Sequence, residues 1–261
     1  MKCVRGDSFS NIDVFRDMHT HPFEKGKSLE AMETFVLRAI ELGLSEIAFS
    51  DHAPMDERIA AGHAMSIKEM DIYYDFSMKL KNKYKDIINV IIGIEADYHP
   101  LNFSMIEKLK KKYSLDFMIG AFHLHIPGWK NDIAGFSVLE LIDFSFEQSQ
   151  NLINSGLFDT FAHFDRFRDI LHEFSNYYLN PKEQKDKFIN LFKAVKRNGI
   201  ILEINPSKCN TPSGGSMESF FEIIQWSKDL ELEYVFGSDA HWAHDVNKFF
   251  FEFKNSLKSV L

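Results

Sequence analysis

Histidine and carboxylate side chains close seven short apolar runs of this chain, and side chains of these types gathered in one place hold divalent cations. The closures are Asp17-Met18-His19-Thr20-His21, Asp51-His52, Glu95-Ala96-Asp97, His123-Leu124-His125, His163-Phe164-Asp165, Glu203-Ile204-Asn205 and Asp239-Ala240-His241. Imidazole and carboxylate donors without thiolates suit Zn, Mn or Fe, and clustered ions of that kind activate water for hydrolysis. One histidine at one strand end would say little, because an isolated histidine more often packs or hydrogen-bonds. Seven closures in chain order describe a site. His19 and His21, two apart at a strand end, leave the same face about 7 Å from each other, and Asp239 and His241 repeat that spacing. An acid such as Glu95 at the rim of Val90-Ile91-Ile92-Gly93-Ile94 would cost several kcal/mol if buried alone, and cations relieve that cost.

Amphipathic stretches separate the closures, so that apolar run and helical pattern alternate seven times. This is the signature of βα units and of a parallel sheet or barrel. Strands are expected near 14–20, 46–51, 88–95, 116–122, 158–163, 200–205 and 233–238. Helices are expected near 28–42, 67–85, 102–113, 137–155, 181–198, 216–229 and 243–258. In the first helix Ser28 can cap, Glu30 favours the first turn, Leu29, Met32, Val36 and Ala39 or Ile40 share a face, and Gly43 ends the run. The longest loops, around 56–65, 127–135 and 205–216, all follow strand ends, where parallel barrels build their active face. No repeat, low-complexity tract or Gly/Ser linker divides the chain, and residues 1–261 read as a single α/β domain.

Hydrophobic residues make up 45% of the 261 residues and 26 are Phe, enough for a large core without disulfides. Cys3 and Cys209 lack CxxC spacing and no signal peptide accompanies them, which points to a reducing cytoplasm. No apolar run reaches the ~18 to 20 residues of a membrane span. The net charge of -8 argues against an extended nucleic-acid track, and Lys108, Lys110, Lys111 and Lys112 read as a solvated helix face. A small anionic substrate remains compatible if cations supply local positive charge. His63, His99, His172 and His244 close no apolar strand and are assigned structural roles. Asp51, Asp97 and Asp165 read as orienting or capping groups beside the candidate ligands. The oligomeric state is not fixed by the sequence.

The strings Asp-Met-His-Thr-His, Phe-Ser-Asp-His-Ala-Pro-Met, Ile-Gly-Ile-Glu-Ala-Asp-Tyr, Ile-Gly-Ala-Phe-His, Ala-His-Phe-Asp-Arg-Phe-Arg, Leu-Glu-Ile-Asn and Gly-Ser-Asp-Ala-His resemble the successive motifs of the PHP (polymerase and histidinol phosphatase) superfamily. The resemblance runs from about residue 15 to 245 and is greatest to the histidinol-phosphate phosphatases. It implies a distorted (β/α)7, TIM-like barrel holding two or three divalent ions. His19, His21, Glu95 and Asp239 would surround one ion, and Glu95 would bridge to a second held by His123 and His163. The third would take His52, His241 and a residue of the loop after His21, for which Glu24 is the candidate and a solvated loop acid the alternative.

The activity so implied is a metal-dependent phosphomonoesterase acting on a small phosphorylated metabolite, L-histidinol phosphate first, by attack of a metal-activated hydroxide. Glu95, Asp239 and His241 would stand at the reaction. Arg168 would grip the phosphate, as a planar guanidinium can with two oxygens at once; Arg166 is either its partner or half of a surface salt bridge. Lys208 falls where similar phosphatases carry an Arg, and His125 could reach substrate. Two other readings compete: a phosphodiesterase or exonuclease on short nucleotides, and a metal-binding module without catalysis.

Overall fold

The computed structural model describes residues 4–13, 15–209, 211, 215–250, 252, 253 and 255. Seven strands form where the apolar runs were expected: β1 Arg16–Thr20, β2 Glu46–Phe49, β3 Asn89–Asp97, β4 Phe117–Ala121, β5 Thr160–Phe161, β6 Ile201–Ile204 and β7 Tyr234–Phe236. They pair in sequence order, each parallel to the next. The ring closes without a regular ladder between its ends. Instead the Asp239 amide donates to His19 O (2.9 Å) and the His21 amide to Ala240 O (2.8 Å), and this seam is the distortion of the barrel.

Period-two alternation explains both the interior and the mouth. An inner apolar cluster contains Met18, Ala48, Ile91, Phe117, Ile119, Ala121, Ala162, Ile201 and Val235. Extending those inward rows by two or four residues gives Glu95 above Ile91, His123 above Ala121, Glu203 above Ile201, Asp239 above Val235 and His52 above Ala48. The apolar floor and the polar mouth are one set of inward positions read along the strands. Gly93 belongs to that set because a Cβ there would lie 2.3 Å from the Phe117 ring, which fills the barrel.

The helices are α1 Leu29–Glu41, α2 Ile67–Tyr84, α3 Phe103–Lys112, α4 Val138–Asn154, α5 Phe167–Ser175, α6 Lys185–Asn198 and α7 Met217–Gln225. Ser28 caps α1 through the Ala31 amide, as expected. Capping boxes start α2, from Ser66 and Glu69, and α4, from Ser137 and Glu140; each satisfies two amides that the first turn leaves open. Their apolar faces cover the outside of the sheet with aromatic side chains. Phe188 of α6, fully buried, meets the rings of Phe146, Phe164, Phe167, Phe192 and Trp226. Among the described residues, no helix is long and apolar enough to cross a membrane.

Several boundaries differ from expectation. The fifth strand keeps only two residues, because the chain turns at His163, whose φ is +22°. Helix α5 was not expected. The 181–198 helix begins as a 3-10 turn over Pro181–Gln184, and the 216–229 helix stops at Gln225. The helix expected over 243–258 lies partly outside the described residues, and its first part is a 3-10 turn, Ala243–Asp245. Position 14, at the start of the first expected strand, Cys3 and Asn210 also lie outside the described residues.

Candidate metal centre at the barrel mouth

His19, His21, His52, Glu95, His123, His163, Asp239 and His241 converge over the C-terminal ends of the strands. The Nε2 atoms of His19 and His21 are 3.0 Å apart, and His21 Nε2 is 3.0 Å from Asp239 Oδ1. Glu95 sits at the centre. Its Oε1 is 2.8 Å from His163 Nε2 and 3.9 Å from His123 Nε2; its Oε2 is 2.8 Å from His52 Nδ1, 3.6 Å from His19 Nε2 and 3.7 Å from His21 Nε2. His21 stacks between the rings of His52 and His241, both 4.4 Å away. All but Asp239 and His241, which are half-buried, are buried.

Carboxylates behind the cluster fix the orientation of its imidazoles. An ionised carboxylate only accepts, so His19 Nδ1 donates to Glu203 Oε1 (2.6 Å) and His123 Nδ1 to Asp97 Oδ1 (2.6 Å). Each Nε2 is thereby turned toward Glu95. Glu203 Oε2 also accepts from the His163 amide (2.7 Å) and from Asn205 Nδ2 (3.2 Å), so one buried acid aligns two strand ends. Gly237 makes room for it, since a Cβ there would lie 2.1 Å from Glu203 Oε1. Asp51 accepts the amides of Phe23 and Glu24, anchoring the loop that carries Glu24 to His241. His163 and Asp239 hold left-handed backbones (φ +22° and +56°), conformations that persist where surrounding bonds enforce them.

Electrostatics follow from this crowding. Burial disfavours charge on Glu95 and Asp239, but the surrounding histidines outweigh it and pull both carboxyls well below the usual range. Burial likewise opposes charge on His19, yet Glu203 and Glu95 raise its pKa well above the ordinary value. Burial pushes His21 down to about 3, with His52 and His241 adding to the shift. His241 is pulled down by burial but pushed up to about 9 by the Asp239 and Glu24 carboxylates.

The donor set fits divalent cations on a structural observation. His21 Nδ1, His52 Nδ1, His163 Nδ1 and Glu95 Oε2 are buried and have no hydrogen-bond partner. His52 Nδ1 and Glu95 Oε2 approach to 2.8 Å without the alignment of a hydrogen bond. Buried polar atoms left unpaired cost about 1–3 kcal/mol each, and a cation would remove that cost for those atoms that face it. Among the described residues, four trios could hold an ion: His19, His21 and Glu95; His21, His52 and His241; Glu95, His123 and His163; and His52, His63 and Asp97.

The remaining candidates are distributed as follows. Glu24 meets His241 Nδ1 and also pairs with Lys25. Arg168 is buried, donates to Asp165 Oδ2 (2.9 Å) and fills the space left by the missing Cβ of Gly215. Arg166 instead reaches Asp239, with Nη1 3.6 Å from Oδ2, and shares with Lys208 and His241 a cleft of about 270 Å³. His125 is exposed, its ring 5.3 Å from that of His123. His63, given a structural role from sequence, lies against His52 and is 3.1 Å from Asp97 Oδ2. Cys209 is buried and burial raises its thiol pKa, so it is no ready nucleophile.

The fold and site define a seven-stranded parallel α/β barrel with a histidine and carboxylate cluster suited to metal binding across its C-terminal mouth. The PHP domain model matches residues 17–207, and the chain belongs to that family. It is similar to a Deinococcus radiodurans protein named probable histidinol-phosphatase, 23% identical over 252 residues that cover 94% of this chain and 92% of the relative. A Schizosaccharomyces pombe protein of the same name is 26% identical, covering 82% and 76%. The fold matches the crystal structure of histidinol phosphate phosphatase from Lactococcus lactis subsp. lactis, complexed with zinc, L-histidinol and phosphate. That match has a TM-score of 0.71 at 20% identity and covers 92% of this chain and 93% of that one.

Proposed function

We propose that this chain is a metal-dependent phosphomonoesterase of a reducing cytoplasm and that L-histidinol phosphate is its substrate. The observation that carries the reading is the set of adjoining donor trios sharing Glu95, with buried lone pairs that no proton bridges. The names of the relatives support phosphatase chemistry, and the zinc, histidinol and phosphate bound by the Lactococcus protein support the substrate and the metal.

In this reading His19, His21, Glu95 and Asp239 hold one ion, Glu95, His123 and His163 a second, and His52, His241 and Glu24 a third, with Zn, Mn or Fe as the ions. Divalent cations there would supply Lewis-acid polarisation of the phosphoryl oxygens and acidification of water near neutral pH. The protein supplies the rest. Glu203 and Asp97 keep the Nε2 lone pairs of His19 and His123 aimed inward, which preserves ligand geometry. Arg166 and Lys208 line the cleft beside Asp239 and bring positive charge to the phosphoryl oxygens, while Arg168 braces the loop through Asp165. When it holds no ion, His241 is the group beside the cleft able to carry a proton to the departing oxygen, and His125 stands at the leaving-group side.

The test is phosphate release by the zinc-loaded protein from L-histidinol phosphate, a sugar phosphate, a mononucleotide, a dinucleotide and a phosphotyrosine peptide. Histidinol phosphate should be the preferred member. Cleavage of the dinucleotide alone would replace this reading with the diesterase one, and no release from any member would leave a metal-binding module.

A further inference from the structure

Two clefts open directly beside the cluster, and both are small and polar. One, of about 200 Å³, borders Glu24, Asp51, His52 and His63; the other, of about 270 Å³, borders Arg166, Lys208, Asp239 and His241. They suit a phosphoryl group and water. A third space has another character. It measures about 650 Å³ and is walled by Leu124, Ile126, Ile133, Phe136, Leu141 and Phe174. Pockets of roughly 300–1,000 Å³ with apolar walls and few polar groups are the usual form of a small-molecule site.

This groove adjoins the metal centre through the segment after β4. The segment after β4 runs from His123 in the cluster to Leu124, His125 and Ile126 in the groove wall. The His125 ring, on that wall, is 5.3 Å from the ring of His123 and 5.8 Å from that of His63. At the rim Phe136 and Phe174 are 38% and 65% exposed; large aromatic surfaces left in water beside a concave apolar space mark a contact to be made. A single imidazole on a three-carbon chain would occupy only a small part of the volume.

We infer that the groove extends the leaving-group site and admits, beside L-histidinol phosphate, aryl phosphomonoesters with more than one ring as further substrates; the inference rests on the phosphomonoesterase reading above. The phosphoryl end lies at the cluster and the fused rings lie between Phe136 and Phe174. In the reaction water adds to phosphorus, the bond from phosphorus to the aryl oxygen breaks, and the aryl oxygen keeps the electron pair and gains one proton. No oxidant or reductant takes part.

The experiment compares 1-naphthyl phosphate, L-histidinol phosphate and glycerol 3-phosphate on zinc-loaded wild type, Phe174→Ser and the Phe136→Ser/Phe174→Ser double variant, with calorimetric titration of 1-naphthylmethylphosphonate. Loss of purely ground-state contacts raises KM and spares kcat. The double variant should raise KM for the naphthyl ester about tenfold with kcat held, leave glycerol phosphate kinetics unchanged and weaken the phosphonate by the same factor. Among the described residues Phe174 touches no other Phe, Tyr or Trp ring, so its single variant keeps the test valid if loss of the Phe136 contact with Phe144 unfolds the protein. Equal kinetics for all three esters in wild type and variants would overturn the groove assignment and leave the phosphatase reading standing. Phosphonate binding that weakens in the variants, with no ester hydrolysed, would sustain the groove and sink the phosphatase reading. A wild-type dimer that the variants convert to monomer, with naphthyl kinetics unaltered, would give the groove to a second copy of the chain and overturn the proposal.

Discussion

Replacing Glu203 with Gln should weaken cation binding while leaving the metal-free fold nearly intact. Glu203 faces three donors, the His19 Nδ1–H, the His163 amide and Asn205 Nδ2, and Gln offers one acceptor oxygen and one donor group. With its oxygen toward His163 and Asn205, its NH2 faces His19 Nδ1, which must then accept. The imidazole proton moves to Nε2, the atom that lies 3.6 Å from Glu95 Oε2 and 3.8 Å from Asp239 Oδ1. Every bond behind the cluster is satisfied, yet a proton occupies the lone pair a cation requires. The opposite orientation sets NH2 against the His163 amide and leaves a buried donor unpaired, at about 1–3 kcal/mol. Loss of such an orienting partner costs about 10–100-fold in metal affinity, or roughly 1.4–2.7 kcal/mol. Zinc competition against a chromophoric chelator reads the affinity, and thermal unfolding of the apo protein reads the fold. Wild-type zinc affinity in Glu203→Gln would refute the argument that this carboxylate sets the His19 tautomer.

Other outcomes are expected from the same geometry. Exhaustive chelation should abolish phosphate release and lower the melting temperature, both recovered on adding zinc; an apo protein of full activity would contradict a role for cations. Phe188→Ala, which empties the centre of a five-ring contact on α6, should cost about 3–5 kcal/mol by denaturant unfolding, and a loss below ~1 kcal/mol would show that the cluster repacks freely. Glu69 has a carboxyl drawn down to about 2 from its ordinary 4.5, chiefly by the Lys27 ammonium and then by Ser66. Its folded value is the lower one, so its stabilisation is present above pH 4.5 and lost as pH falls toward 2. Between those limits wild type should lose stability more steeply than Glu69→Gln, and parallel acid titrations of the two would count against the assignment.

The seven strands were legible because each inward row ends in a residue that an apolar interior would reject, so pattern and chemistry marked the same positions. Helix α5 was not read, although Phe167, Ile170, Leu171 and Phe174 keep helical spacing. It has nine residues, no side-chain cap at Arg166, and follows a motif in which Arg166 and Arg168 read as phosphate ligands rather than as the first turn of a helix. Glu203 was visible as a strand end but not as the acid behind His19, since that role depends on how far β6 and β1 turn toward each other across the barrel. His63 gave no signal of its own. It reaches His52 and Asp97 through a loop of irregular backbone, whose path no periodicity encodes. Arg166 and Arg168 are two residues apart, and only helix geometry at the start of α5 sends one toward Asp239 and the other toward Asp165.

The seam between the first and last strands bears on the order in which the molecule can be made. His21 and Asp239 are 218 positions apart, so the cluster stays incomplete until nearly all of this sequence has been translated. A nascent chain can assemble the trio of Glu95, His123 and His163 long before it possesses Asp239. An ion shared by His19, His21 and Asp239 would therefore gain its last ligand only when synthesis reaches β7, and would there tie the two ends of the barrel together and resist their parting.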